Sequence, residues 1–176
     1  MFERCTESMR RAIFFATWHA RLAETVHIDP VHLLRALMWE ENSRASTLFH
    51  LREHFPLHHT CPSKFAASKD VPEVTTFLEE DTKQVLRAAL AEANILGDYW
   101  IDTEHLLLGI LKEPASLAAQ YLAKTGLTLK QARRIVLENR RSRPDYGPPT
   151  GWWKLGSRVD NLIYRLRLWG YRRADR

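Results

Sequence analysis

Cysteine is scarce in this chain, with two among 176 residues, at Cys5 and Cys61. That supply cannot build a disulfide scaffold and suits a reducing compartment, although pairing of the two with each other stays open. Glycine is scarce too, with seven, and no Gly-x-x-x-x-Gly-Lys-Ser/Thr run occurs, so the phosphate loop of ATP-driven machines is missing. No stretch approaches the roughly 18 uninterrupted apolar residues of a membrane-crossing helix. The start, Met1-Phe2-Glu3-Arg4-Cys5-Thr6, has no basic segment leading into an apolar run, so no secretory signal is expected and a cytoplasmic location is the default. Strand-like alternation of convincing length is absent as well, which leaves an all-α core.

What is present is an ordinary globular composition, 45% hydrophobic and 27% charged. The formal net charge of +5 is unevenly distributed. Residues 140–176 carry a net of +7, and the rest of the chain a net of −2. The basic character therefore belongs to the last fifth of a mildly acidic protein.

The strongest signal is an internal repeat. Ile28-Asp29-Pro30-Val31-His32-Leu33-Leu34 returns 73 residues later as Ile101-Asp102-Thr103-Glu104-His105-Leu106-Leu107. The same offset pairs Glu7 with Glu80, Ala16 with Ala89, Ala20 with Ala93, Glu40 with Glu113 and Ala45 with Ala118. A duplicated helical unit produces such matches directly. In the first copy, Thr6 is a natural N-cap for a helix to about Glu24, with Met9, Ile13, Phe15, Ala16, Ala20 and Ala23 at helical spacing. Asp29 caps a second helix that has Pro30 in its first turn, and a short third is expected over Ser43 to about Leu51. The second copy predicts helices over 79–96, from Asp102 and over 115–124, with Gly97 as a C-cap. A last helix is capped by Thr128 and has Ala132, Ile135 and Val136 inward. The first copy offers no clear equivalent of that last helix.

These residues carry a family resemblance. Gly97-Asp98-Tyr99-Trp100-Ile101-Asp102-Thr103-Glu104-His105-Leu106-Leu107-Leu108-Gly109-Ile110-Leu111 is similar to the Gly-x-x-x-Ile-x-Thr-Glu-His-Leu-Leu-Leu-Gly-Leu pattern of the double Clp repeat. That repeat forms the N-terminal domain of the Clp/Hsp100 unfoldase chaperones. Phe2 with Thr6-Glu7 also looks like the family's start, and the resemblance covers residues 2–140. It implies an all-α, pseudo-two-fold duplicated fold over 1–140, with repeat one at 2–52, a connection at 53–76 and repeat two at 77–140. A Pro/Gly linker follows at 141–156, then a C-terminal basic, aromatic, amphipathic helix at 157–176. The family's domain binds adaptors and substrates for an ATPase ring. The expectation here is a non-catalytic module without that ring and without cofactor. It would bind a protein or peptide, a Clp ATPase or its substrates, through a groove near Thr6, Val31, Glu79 and Glu104.

Some relatives capture phosphoarginine, where the resemblance assigns a threonine near each repeat start to the phosphate and the Glu of Thr-Glu-His to the guanidinium. Copy one has Thr6 but Val31 in place of the Glu, and copy two has Glu104 but Glu79 in place of the Thr. Val31 offers no acceptor, and Glu79 would repel a phosphate that carries close to two negative charges. Phosphoarginine is therefore not the expected ligand.

Other signals weigh less. His32 and His105 occupy equivalent positions, which favours a structural role over a catalytic one, because no nucleophile is specified beside them. His50, His54, His58, His59 and Cys61 are dense, but Pro56 disfavours the helix that would aim His54 and His58 at one ion, so no metal site is expected. The adjacent acids Glu79, Glu80 and Asp81 suit a helix N-terminus. In the tail, Val159, Leu162, Ile163, Leu166 and Trp169 share one face. Trp152, Trp153, Arg158, Arg165, Arg167 and Trp169 are its contact candidates, for an anionic membrane surface, for nucleic acid or for an acidic protein. Against these stands fold-back of the basic tail onto the acidic core.

Overall fold

The structure is a computed structural model that describes residues 2–54 and 77–139. The sequence assignments at 141–176, including all six tail contact candidates, lie outside the described residues, as does most of the connection at 53–76.

A 3-10 turn at Phe2–Arg4 leads into α1 (Glu7–Leu22). Thr6 caps α1 as its sequence suggests, accepting the Met9 N–H. After β1 (His27–Ile28), α2 (Pro30–Trp39) starts at the Asp29 cap. The expected third helix is split into α3 (Arg44–Leu48) and α4 (Leu51–His54). The break falls at His50, whose φ of 48° is left-handed and cannot continue a right-handed helix. Copy two runs β2 (Phe77–Leu78), α5 (Glu80–Leu96), α6 (Thr103–Leu111), α7 (Leu117–Lys124) and α8 (Leu129–Glu138). Gly97 ends α5 in the left-handed region at φ 75°, where a side chain would be strained. Ser116 caps α7 and Thr128 caps α8.

The core is made by the repeated helix pair. Met9, Ala12, Ala16 and Ala20 of α1 face Leu33, Leu34, Leu37 and Met38 of α2, while Val85, Leu86, Ala89 and Ala93 of α5 face Leu106, Leu107 and Ile110 of α6; all are buried in one cluster. Small residues along α1 and α5 let the helices approach closely. At Gly109 the approach is tightest: a Cβ there would stand 2.5 Å from the Val85 carbonyl oxygen and 2.8 Å from the Ala89 nitrogen. The two-residue strands are too short to alternate, so sequence pattern could not reveal them.

Candidate binding seams between the two copies

The copies clasp one another at two reciprocal seams. At the first, Cys5 bridges Ile101 in parallel, the Thr6 N–H donates to the Ile101 carbonyl (3.0 Å), and the Ile101 N–H donates to the Arg4 carbonyl (2.7 Å). Arg4 reinforces it, donating from Nε to the Tyr99 carbonyl at 2.7 Å and lying 5.2 Å from the Tyr99 ring centroid. At the second, β1 pairs with β2, Ile28 opposite Leu78. There the Phe77 N–H donates to the Val26 carbonyl (2.8 Å) and the Glu79 N–H to the Ile28 carbonyl (3.2 Å). Under the 73-residue offset, Cys5 becomes Leu78 and Ile28 becomes Ile101. The seams are one contact made twice, with the copies exchanging roles.

This exchange regroups the four residues singled out in the sequence. Thr6 meets the start of α6, the helix of Glu104, and donates from Oγ1 to Asp102 Oδ1 at 2.8 Å. Glu79 meets the residues just before α2, the helix of Val31. The fold therefore brings Thr6 to the start of the helix that carries Glu104 and Glu79 to the approach of the helix that carries Val31, across copies rather than within each copy. The two seams are chemically unlike. Val31 is half-buried against the core and Glu79 is exposed, making no side-chain capping bond to α5.

Every member of Thr103-Glu104-His105 has an internal partner. Thr103 Oγ1 accepts the Ala45 N–H of α3 (3.3 Å), Glu104 meets Arg44 Nε of α3 (3.2 Å), and His105 closes the cap of its own helix. Glu104 is fully buried. Arg44 thus already supplies the guanidinium that a Glu in this place attracts, and a charge buried so deeply needs such a partner. In the other copy the offset puts Val31 in place of Glu104 and Leu117, 61% exposed, in place of Arg44, two apolar side chains for an ion pair.

The equivalent histidines do structural work. The backbone N–H of Asp102 donates to His105 Nδ1 (2.9 Å) while His105 Nε2 meets Asp98 Oδ2 (3.1 Å), so Nε2 carries the proton. In copy one the Asp29 N–H donates to His32 Nδ1 (3.2 Å) and the His32 N–H donates back to Asp29 Oδ1 (2.9 Å). The His32 Nδ1–Asp29 Oδ1 separation of 3.0 Å is not an ion pair when Nδ1 accepts that N–H. Burial would raise the Asp29 carboxyl, but the hydrogen bonds it accepts at the start of α2, those of the His32 and Val31 backbone N–H groups among them, hold the group below its ordinary 3.8. Glu80 pairs with Arg87 and Lys83, which lower its carboxyl too. Burial pushes the Cys5 thiol up, opposite to the shift of a reactive cysteine. Among the described residues no group of His, Cys, Asp and Glu could hold a metal ion. His58, His59 and Cys61 lie outside them. No described helix is long and apolar enough to cross a membrane.

Sequence reasoning missed Arg44, since nothing in a short helix announces a partner sixty residues away. It missed Glu40 and Glu92 similarly. Both are buried, Glu40 held by Arg11 and Glu92 by Arg133 (2.7 and 2.8 Å).

Comparison with known proteins agrees with this architecture. The profile of the Clp repeat (R) N-terminal domain matches residues 78–166. Chaperone protein ClpB of Oceanobacillus iheyensis is 28% identical over 139 residues, 78% of this chain and 17% of that protein. The protein named negative regulator of genetic competence ClpC/MecB of Bacillus subtilis is 39% identical over 56 residues, 32% of this chain and 7% of its own length. The chain thus spans at most about a sixth of these curated relatives. The crystal structure of the N-terminal domain of the caseinolytic protease associated chaperone ClpD from Arabidopsis thaliana superimposes with a TM-score of 0.53 at 20% identity, covering 80% of this chain and 97% of that one. That likeness is one of fold.

Proposed function

The chain belongs to the Clp repeat N-terminal domain family, and from that premise we propose that it is a non-catalytic protein- or peptide-binding module, an adaptor or regulator for Clp-type chaperone and protease systems. The observation that carries the reading is the pair of reciprocal seams. The duplicated fold is kept whole, while the side chains at its two equivalent positions have diverged into an ionic seam and an apolar one. An interaction surface diverges in this way without loss of scaffold. Binding centres on the accessible seam around Val31 and Glu79, with Thr6 and Glu104 holding the opposite one together. Phosphoarginine is not the ligand in this reading, because Arg44 occupies Glu104 and Asp102 occupies the Thr6 hydroxyl. A cytoplasmic location belongs to the same proposal.

The test is affinity capture by the immobilised full chain of a purified Clp-type ATPase and of unfolded model substrates, at low and high salt. Capture that survives high salt and is lost in Val31→Asp supports the reading. The alternative is a scaffold whose basic aromatic tail binds anionic membrane or nucleic acid. It predicts binding to anionic vesicles or oligonucleotides that collapses steeply as salt rises, with no capture of the ATPase.

A further inference from the structure

An arginine closes the outer end of the first seam, and the second seam has none in that place. Arg4 donates from Nε to the Tyr99 carbonyl (2.7 Å) and from Nη2 to the Asp98 carbonyl (3.2 Å) and Asn94 Oδ1 (3.1 Å), and it lies over the Tyr99 ring. It thereby covers the C-terminal end of α5, where the last carbonyls carry partial negative charge. Under the 73-residue offset Arg4 becomes Phe77, Tyr99 becomes Val26 and Asp98 becomes Thr25. Phe77 has no hydrogen-bonding group to offer the end of α1, and it is 59% exposed beside Val26, which is 46% exposed. Strand alternation turns Leu78 inward and sets Phe77 and Glu79 on the outer side. Where copy two turns at Gly97, copy one turns at the exposed Glu24, left-handed at φ 53°.

The two segments that meet here, 22–28 and 77–82, hold Glu24, Glu79, Glu80 and Asp81 and no Lys or Arg. Glu80 is answered by Lys83 and Arg87, and Arg21 and Arg35 sit on the bodies of α1 and α2. Glu24, Glu79 and Asp81 make no side-chain ion pair among the described residues. The place thus offers two apolar side chains, unanswered carboxylates and the negative end of a helix, which suits a segment of arginines and aromatic rings. The chain carries one. Residues 157–176 hold six arginines against Asp160 and Asp175, and Tyr164-Arg165 and Tyr171-Arg172 put a ring next to a guanidinium in sequence. Residues 55–76 hold no arginine and balance Lys64 and Lys69 against Asp70 and Glu73. We propose that residues 157–176 dock at the outer end of the second seam. An arginine is set over the end of α1 as Arg4 is over α5, and aromatic side chains lie on Val26 and Phe77. Residues 140–156, which join α8 to this segment, can span up to about 55 Å when extended, more than the roughly 30 Å of a small domain. Tethering raises the local concentration of the segment, so modest intrinsic affinity suffices. The inference goes beyond the protein-binding reading above and does not rest on it.

The experiment is paramagnetic relaxation in the isotope-labelled full chain, with a nitroxide on Ala174→Cys in a Cys61→Ser background; Cys5 is buried and stays unlabelled. The backbone amides of Glu24–His27 and Phe77–Glu79 should lose most of their intensity and regain it when the nitroxide is reduced. The loss should fade as salt rises, because exposed charges are screened. It should vanish in Phe77→Ser and in Glu24→Lys/Glu79→Lys, changes at exposed positions whose folding is checked by circular dichroism. Absence of the loss at these amides, a loss centred on another face, or a loss unchanged in both folded variants overturns the proposal. So does a loss seen between a nitroxide-bearing chain and a separate isotope-labelled one in a mixture, which would give the place to a second copy. Anionic vesicles or oligonucleotides bound by a tail that shows no such loss would give the tail to an outside partner and overturn it too. Capture of an ATPase plays no part in this readout, so the fate of the binding-module reading is decided separately.

Discussion

The Arg44–Glu104 pair can be taken apart in a way the duplication itself suggests. Glu104 is fully buried and Arg44 keeps 20% of its side chain exposed, so the two are not equivalent when left alone. In Arg44→Leu a carboxylate stays in the core without its cation, a situation that costs about 3–5 kcal/mol. A domain of this size is stable by only about 5–15 kcal/mol, so this single variant should lose a large part of its stability. In Glu104→Val the arginine can turn its head to water and the loss should be smaller, about 1–2 kcal/mol. Val31 and Leu117 occupy the equivalent positions of the other copy, so the double variant Arg44→Leu/Glu104→Val carries the residue types found there. It should lie within about 1.5 kcal/mol of wild type, since an apolar pair of similar volume often replaces a buried ion pair without loss. Urea unfolding followed by circular dichroism, run as a double-mutant cycle, gives the coupling directly. If Arg44→Leu costs less than about 1 kcal/mol, or the two changes simply add, the buried pair is not what holds α3 to α6 and the reasoning fails.

Other outcomes follow from the same geometry. Gly109→Ala should destabilise by about 1–3 kcal/mol or more, because its methyl meets α5 backbone that cannot rotate away; an unchanged urea midpoint would refute the close crossing. His105→Ala, which opens the Asp102 capping box and releases Asp98, should cost about 1–2 kcal/mol in thermal or urea unfolding. His105→Asn, able to accept the same N–H, should recover part of that loss. Asp29 has a lowered carboxyl, so its contribution is present above the unfolded value of 3.8 and is lost as pH falls through the lower folded one. The gap in urea midpoint between wild type and Asp29→Ala should therefore be constant near neutrality and narrow below about pH 4. A gap that widens on acidification would contradict the His32–Asp29 arrangement.

Much of the fold was legible because its determinants are local. The caps Thr6, Asp29, Asp102 and Thr128 and the stop at Gly97 each signal through one or two neighbouring residues, and the repeat announces the second copy from the first. What stayed hidden depends on contacts far apart in sequence. The two seams are pairs of two-residue segments without alternation, and their crossing over between copies could not be read from either copy alone. For that reason the sequence pattern groups Thr6 with Val31 and Glu79 with Glu104, whereas the fold joins Thr6 to α6 and Glu79 to the approach of α2. The outer face of α1 was half visible: Ile13, Phe15 and Ala16 signalled the inward face, but helical spacing does not say that Phe14 and Leu22 remain exposed.

Isothermal titration of the purified full chain with a purified Clp-type ATPase, repeated at low and high salt, tests the binding-module account most directly. The account predicts saturable binding that changes little with salt and is weakened at least about tenfold by Val31→Asp, at a temperature where circular dichroism shows the variant folded. No binding at either salt, or binding that disappears at high salt and ignores Val31→Asp, would contradict it.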